Sequence, residues 1–210
     1  IAIMLAEISN KWVKKITQSI VILPHFMSWT IVSMLSVAIL SANGVVNQLI
    51  TMVGGKTIEF YNTPSVWPAI LVILKVWQGA GFGSIVYLAT ITGIDASIYE
   101  AAAVDGASKT QCIFKVTLPM LKNTIIMLTI MSVGKIFNGD FGMIYAMVGS
   151  NSILYPTTDV IDTYLFRQLL ENPSMGQTAA VGLIQSILGF GFVVLCNKVA
   201  NKWSPESALF

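Results

Sequence analysis

Four long stretches of the sequence are almost free of charged residues, and polar linkers separate them. They cover residues 16–41, 67–94, 120–138 and 178–197. A helix that crosses a bilayer needs about 20 mostly apolar residues, so each stretch is long enough to span a membrane. Residues 1–8 are apolar as well and are interpreted as the end of an earlier span. The pattern predicts an all-α, polytopic transmembrane bundle that forms one domain over residues 1–210.

The composition supports a protein that faces lipid. Hydrophobic residues make up 55% of the chain and charged residues 10%, whereas soluble domains carry about 25% charged residues. The net charge of +2 is too small to indicate a nucleic-acid partner. Cys112 and Cys196 match no metal or redox spacing, so both are interpreted as free thiols. Because the chain opens at Ile1 within an apolar run, we expect it to be truncated at its N-terminus.

The distribution of cations predicts the orientation of the bundle. One set of linkers holds eight lysines, at positions 11, 14, 15, 109, 115, 122, 198 and 202. The opposite loops, 43–66 and 139–177, hold only Lys56 and Arg167. Cytoplasmic loops carry an excess of Lys and Arg, so the first set is predicted to face the cytoplasm, together with the C-terminus.

The two predicted outer loops contain short elements of their own. Residues 44–52 have apolar positions at helical spacing and are predicted to lie along the membrane surface. Residues 141–155 begin apolar and then turn polar, which favours a re-entrant or surface segment. Residues 159–170 are predicted to form a helix, with Asp159 as its N-cap and the Asn-Pro pair at 172–173 as its end.

The predicted cytoplasmic linker 95–119 has strong local signals for two short helices. Asp95 is a suitable N-cap for the first helix, and Gly106 supplies the positive φ that ends it near Asp105. Ser108 followed by Gln111 has the form of a capping box, which starts the second helix at once. The linker therefore predicts a helix, a tight turn and a helix.

The same linker carries a motif that points to a known family. It reads Glu-Ala-Ala, three residues, Gly, nine residues and Val-Thr-Leu-Pro, and it consists of Glu100, Ala101, Ala102, Gly106, Val116, Thr117, Leu118 and Pro119. This motif resembles the cytoplasmic signature of binding-protein-dependent permeases of the ATP-binding-cassette (ABC) superfamily, in which Ile stands where this chain has Val116. The wider stretch 94–108 resembles the sugar-permease branch, although Ala96 stands where that branch often has Pro. Residues 21–29, 159–167 and 178–186 resemble permeases for complex or acidic oligosaccharides.

The resemblance implies the architecture of a type I ABC importer permease and a transport subunit that is not an enzyme. ATP and Mg²⁺ would bind to a separate cytoplasmic ATPase dimer, and this chain would hold no cofactor. Further partners would be a second permease, which we expect to be a different chain, and an extracytoplasmic substrate-binding protein. The linker 95–119, called the coupling loop below, would dock on the ATPase through Glu100, Ala101, Ala102, Asp105, Gly106, Leu118 and Pro119. Pro119 is predicted to lie in the first turn of the next membrane helix.

Three glycines within the second stretch, Gly79, Gly81 and Gly83, leave two alternatives open. Small residues let membrane helices approach closely, and they can also form a flexible point in the translocation path.

Lys75 and Lys135 are the two cations inside predicted spans. Charges within a bilayer are costly and usually face a cavity or a partner. The two lysines could snorkel to the headgroups or pair with an acidic residue such as Asp140, or they could line a substrate path with Trp77, Gln78, Asn138 and Asp140. If the two lysines line a substrate path, an acidic oligosaccharide would be favoured over a neutral one, because a carboxylate forms charge-assisted hydrogen bonds with lysine.

The competing hypothesis is a secondary transporter driven by an ion gradient. Such transporters usually have carboxylates within the membrane for ion coupling, and the predicted spans offer none well inside the bilayer. No catalytic or metal-ligating constellation is present in the sequence to indicate an enzyme. The motif and the apolar pattern therefore favour an ATP-driven permease that works by alternating access.

Overall fold

The computed structural model describes residues 1–171 and 175–203, and all regular structure in these residues is helical. The first half contains α1 (Ala2–Ala6), α2 (Lys11–Ile22), α3 (Trp29–Leu40), α4 (Val45–Met52), α5 (Trp67–Thr92) and α6 (Ala96–Val104). The second half contains α7 (Lys109–Cys112), α8 (Leu118–Met120), α9 (Lys122–Val133), α10 (Phe141–Val148), α11 (Tyr155–Thr158), α12 (Ile161–Glu171) and α13 (Met175–Trp203). The predicted all-α class is confirmed.

Three helical segments within the described residues are long and apolar enough to cross a membrane. They are Trp29–Met52, Pro64–Thr92 and Met175–Lys202, and the last two contain most of the predicted spans 67–94 and 178–197. A fourth crossing is possible through Lys109–Met120 and Lys122–Val133, which are bent by 52° relative to each other. The predicted polytopic character is therefore confirmed by length and composition.

The predicted span 16–41 is wrong as one continuous helix. Helix α2 ends at Ile22, Leu23–Phe26 forms a 3₁₀ turn, and α3 begins only at Trp29. Pro24 lies at this break, where it has no N–H to donate to a helical hydrogen bond. The side chain of Ser28 then caps α3 by accepting a hydrogen bond from the Ile31 N–H at 3.3 Å. The segment of spanning length is 29–52, which includes the predicted surface helix α4.

The predicted span 120–138 is also shorter than expected. Its helix, α9, ends at Val133, and residues 134–137 form turns, so Lys135 lies outside it. Pro119 does not lie in the first turn of α9, because it belongs to the three-residue α8 before the bend. The preceding residues Ile113–Thr117 form a π-helical turn, a local irregularity that no sequence signal indicated.

The chain divides into two compact units. The first consists of Ile1–His25, Gly79–Phe137 and the residues from Gln185 onward, and the second of Phe26–Gln78 and Asn138–Ile184.

The core of the second unit forms around Trp67, which is fully buried. Its indole N–H donates to the Phe60 carbonyl at 2.8 Å, and Val32 and Leu154 are buried beside it. Helix α10 belongs to this core with Met143, Ile144, Met147 and Val148, and it packs against α3. The apolar half of the segment 141–155 is therefore a helix that packs inside protein, which is compatible with a re-entrant segment, and its position relative to the membrane stays a prediction.

Helix α12 lies close to its predicted position but begins differently. Asp159 stands two residues before it and accepts a hydrogen bond from the Thr163 hydroxyl at 2.6 Å, and it also pairs with Arg167. Burial acts to raise the pKa of Asp159, but the hydrogen bonds from Arg167 and Thr163 hold it below its usual value. The predicted Asn-Pro end of the helix lies outside the described residues.

The first unit has a small core and one close helix contact. Ala2, Leu5, Leu88, Ile91 and Leu121 are buried together. Helices α2 and α5 approach most closely at Gly81, where an added Cβ would overlap the backbone carbonyl of Val21. A Cβ at Gly79 or Gly83 would meet no atom within 4 Å. Only the middle glycine is therefore required by close packing.

Replacing Gly81 with Ala should destabilise the protein, whereas Ala at Gly79 or Gly83 should not. Overpacking a tight contact costs about 1–3 kcal/mol, while Gly→Ala in an open helix position gains about 0.5–1 kcal/mol. Thermal unfolding of the three single variants in one detergent measures the difference. Equal midpoints for Gly81→Ala and the two controls would contradict the close approach.

Candidate functional site

The first helix of the coupling loop, α6, begins at its predicted cap. The Asp95 carboxylate accepts a hydrogen bond from the Ser97 N–H at 3.0 Å, and this bond holds the pKa of Asp95 below its usual value. Helix α6 presents an exposed face at helical spacing, formed by Ser97, Glu100, Ala101 and Val104. The predicted docking residues Glu100 and Ala101 thus lie side by side on one solvent-exposed surface.

The turn after α6 has the geometry of a Schellman motif. The Ala107 N–H bonds to the Ala102 carbonyl at 2.9 Å, and the Gly106 N–H bonds to the Ala103 carbonyl at 3.0 Å. Gly106 has φ 78°, which is a left-handed conformation that glycine adopts without strain. The predicted role of Gly106 in ending the helix is confirmed.

The second helix starts immediately after this turn. Ser108 and Gln111 form both hydrogen bonds of the capping box, at 3.3 Å to the Ser108 hydroxyl and 2.7 Å to the Gln111 carbonyl. The hydroxyls of Tyr99 and Thr117 lie 3.0 Å apart, and Thr117 is buried. These contacts tie α6 to the segment that carries Leu118 and Pro119, so the coupling loop is a folded element with a fixed surface.

The coupling loop combines two unpaired acids with exposed apolar side chains. No side-chain hydrogen bond or ion pair of Glu100 or Asp105 is found within residues 1–171 and 175–203, and both residues are exposed. Val104 is 88% exposed and Phe114 is 66% exposed. Sequence reasoning did not identify Val104 or Phe114, although an apolar residue in a polar, predicted cytoplasmic loop is a usable signal.

The predicted substrate-path residues in the second unit include an ion pair. Lys75 forms a salt bridge with Asp140, and its ammonium lies 5.6 Å from the centre of the Trp29 ring. Asp140 also caps α10 by accepting a hydrogen bond from the Met143 N–H at 3.1 Å. The acidic partner that the sequence suggested for Lys75 is therefore the one that it has. Because 54% of the Lys75 side chain is exposed, the pair remains accessible.

Within the second unit, no hydrogen bond or ion pair among the described residues joins Trp77, Gln78 or Asn138 to this pair. The Gln78 amide donates to the Met27 carbonyl at 3.0 Å, Trp77 is 44% exposed, and Asn138 is exposed. Lys135 is exposed and belongs to the first unit, whereas Lys75 belongs to the second. Their assignment to a substrate path stays a prediction.

An open cleft of about 370 Å³ lies beside Lys75 in the second unit. Its lining is mostly apolar, with Leu71, Val72 and Ile144 on the walls, and its polar groups besides Lys75 are Thr157, Thr158 and Asp159. Among the described residues, no group of three or more His, Cys, Asp or Glu side chains is arranged to hold a metal ion. Lys75, which is paired with Asp140, is the cation of this lining.

Comparison with known proteins identifies the family. The model of the family described as "Binding-protein-dependent transport system inner membrane component" matches residues 1–203. The chain belongs to this family. The resemblance carried by the coupling-loop motif is thereby confirmed, and the chain is a multi-pass membrane protein of the ABC permease type.

Individual relatives agree with this membership. The polygalacturonan/rhamnogalacturonan transport system permease protein YteP of Bacillus subtilis (strain 168) is 32% identical over 98% of this chain and 64% of its own length. Protein LplB of the same organism is 31% identical over 98% of this chain and 64% of its own length. The chain thus spans somewhat less than two thirds of these relatives.

Solved structures of the same type also match. A chain in the crystal structure of a bacterial alginate ABC transporter, in complex with an alginate pentasaccharide-bound periplasmic protein, has a TM-score of 0.90 and 35% identity. The match covers 97% of this chain and 70% of that chain. The type I importer permease fold is therefore confirmed.

Replacing Gly106 should show whether glycine is needed there for its positive φ or for its lack of a side chain. A Cβ at Gly106 would meet no atom within 4 Å, so Gly106→Val is disfavoured only by its positive φ, at about 1–2 kcal/mol. Amide hydrogen exchange at Ala107 should then become about 5–30 times faster. The matched variant Gly106→Asn should stay close to wild type, since Asn tolerates this conformation. Equal exchange rates in Gly106→Val and wild type would contradict a strained turn.

Proposed function

We propose that the chain is the membrane-spanning permease subunit of an ATP-driven importer that moves oligosaccharides by alternating access. The observation that carries this proposal is the folded coupling loop, in which α6 exposes unpaired Glu100 and Val104 on one face and the following segment exposes Phe114. A rigid surface of this kind suits a docking partner with a basic group and an apolar cleft. Membership of the binding-protein-dependent family supports a separate cytoplasmic ATPase dimer as that partner.

Two further partners belong to the proposal. An extracytoplasmic binding protein would deliver the sugar, as supported by the matched alginate transporter, whose crystal structure includes a periplasmic protein. A second permease, expected to be a different chain, would complete the path across the membrane. The coupling loop and the C-terminus would face the cytoplasm, because the lysine distribution favours that orientation.

An acidic oligosaccharide is the cargo that we favour. One matched relative is named for polygalacturonan and rhamnogalacturonan transport, and one matched structure for import of the acidic polysaccharide alginate. The accessible Lys75 ammonium beside the cleft supports the same choice, because a cargo carboxylate could replace Asp140 as its partner. After this change of partner, Asp140 would still cap α10.

Reversing the charge of Glu100 should abolish coupling to ATP. Glu100→Lys should lower ATP-dependent uptake in proteoliposomes by about tenfold or more, because a like charge would face the basic group of the ATPase. Glu171→Lys, the same change on an exposed residue of the predicted outer loop, should leave uptake unchanged. The assay is run with ion gradients collapsed. Uptake that requires an ion gradient and no ATP would instead favour a secondary transporter, and normal uptake by Glu100→Lys would exclude the coupling role.

Removing the charge of Lys75 should reduce uptake of an acidic oligosaccharide more than that of a neutral one of equal length. Lys75→Met leaves Asp140 without its cation, so the double variant Lys75→Met/Asp140→Asn is needed to separate cargo binding from stability. Both variants should lose at least about tenfold in acidic-sugar uptake, since charge-assisted hydrogen bonds contribute about 1.5–3 kcal/mol. Basal ATP hydrolysis should persist.

Lys135→Met extends the test to the second predicted path lysine, and Lys56→Met is the control in the predicted outer loop. Normal uptake of the acidic sugar by the Lys75→Met/Asp140→Asn variant would mean that the ion pair is structural, and the acidic-cargo proposal would lose its support within this chain.

A further inference from the structure

Helix α2 has an apolar face that no protein group covers within the described residues. Trp12, Ile16 and Ile20 recur at four-residue spacing and are 75%, 57% and 64% exposed. The opposite side of the helix is the one that packs on protein, since Val21 lies at the contact with Gly81. Trp12 and Val21 are nine positions apart, which puts them about 180° apart around the helix.

Two cations flank the exposed tryptophan on its own side of the helix. Lys11 and Lys15 lie about 100° and about 60° from Trp12 around the helix, whereas Lys14 lies about 160° away. None of the three lysines forms a salt bridge among the residues that the structure describes. Glu7 is the only acidic residue in positions 1–25, and its carboxylate lies 4.0 Å from Lys109. No ion pair among the described residues therefore neutralises the positive charge beside Trp12.

The start of α2 is capped, which fixes the backbone from which these side chains project. The Asn10 side chain caps the helix and accepts hydrogen bonds from the N–H groups of Trp12 at 2.9 Å and Val13 at 3.3 Å. The helix has 12 residues and thus a length of about 18 Å, which is too short to cross the roughly 30 Å hydrocarbon core. Its basic first turn is suited to the headgroup level of a membrane, where tryptophan rings and lysine side chains concentrate.

We propose that the first turns of α2 form a binding site for an anionic phospholipid. The lysine ammonium groups contact the headgroup phosphate, the Trp12 ring lies at the boundary between headgroup and acyl chain, and Ile16 and Ile20 contact the acyl chains. Charge complementarity selects a lipid over a protein occupant, because the cores of protein interfaces are depleted in lysine. The predicted orientation of the chain assigns the site to the cytoplasmic leaflet.

Quenching of Trp12 fluorescence by brominated lipids tests the site directly. The assembled transporter is reconstituted in bilayers that contain brominated phosphatidylglycerol or brominated phosphatidylcholine, and the Trp12 signal is obtained as the difference between wild type and Trp12→Phe. The wild-type signal should be quenched preferentially by phosphatidylglycerol. Each lysine near an anionic surface contributes about a fivefold preference, so Lys11→Gln/Lys15→Gln should reduce the preference by about twenty-five-fold.

The pair Lys198→Gln/Lys202→Gln is the matched control. It removes two exposed lysines from the end of α13, on the same predicted side of the membrane, and should leave the preference of Trp12 unchanged. Equal quenching by the two lipids in wild type would overturn the anionic site. Absence of quenching by either lipid would also overturn it and would indicate that another protein chain covers this face. If both double variants lost the preference for phosphatidylglycerol equally, the preference would come from the general surface charge. That result would overturn a local site.

Discussion

Backbone carbonyls at breaks in apolar helices need hydrogen-bond donors, and this requirement organises much of the structure. Water does not satisfy such groups in lipid, so side chains must do so. The Gln78 amide bonds to the Met27 carbonyl, which lies at the break between α2 and α3. In the same way, the buried Gln185 amide bonds at 2.7 Å to the Phe137 carbonyl, at the turn after α9. Each glutamine lies on a long helix and stabilises a break on a different segment.

The loops of the second unit follow the same rule. Asn47 is 1% exposed, and its amide forms hydrogen bonds with the Ser41 carbonyl and with both the N–H and the carbonyl of Ile58. Asn151 donates to the Tyr61 carbonyl, 90 residues away, at 2.8 Å. These amides hold irregular backbone in one conformation at positions where no helix can do so. The Lys75–Asp140 pair and the cap of α10 therefore belong to a unit whose loops have a fixed backbone conformation.

The same interactions explain which features could be predicted from the sequence. The coupling loop was predicted closely because its signals are local: the Asp95 cap, Gly106 and the Ser108–Gln111 box act within three residues of their partners. The break in the 16–41 stretch has a local signal in Pro24, and the prediction missed it because it relied on the absence of charged residues. The amide that stabilises the break could not be predicted locally, since it belongs to Gln78, 51 residues from Met27. Hydropathy also could not distinguish a buried helix such as α10 from a surface one, since both are apolar. The ion pair of Lys75 was among the alternatives because Asp140 is the acid nearest to the polar end of a predicted span.

Electrostatics distinguish the two candidate sites in a way that fits the proposed mechanism. Glu100 has no partner within the described residues, and it lies on an exposed surface where water solvates a free carboxylate at little cost. A charge at a docking surface can therefore remain unpaired at little cost until its partner binds. Lys75 lies on a predicted membrane helix, where an unpaired cation is costly, and it has Asp140 as its counter-ion. An anionic cargo would have to replace the Asp140 carboxylate as the partner of Lys75. Because Asp140 itself stays in place, the net charge around Lys75 would change by the charge of one cargo group. Release of the cargo would restore the Lys75–Asp140 ion pair, so the transporter has a stable state without cargo. Competition from Asp140 also limits the affinity for an acidic sugar during transport.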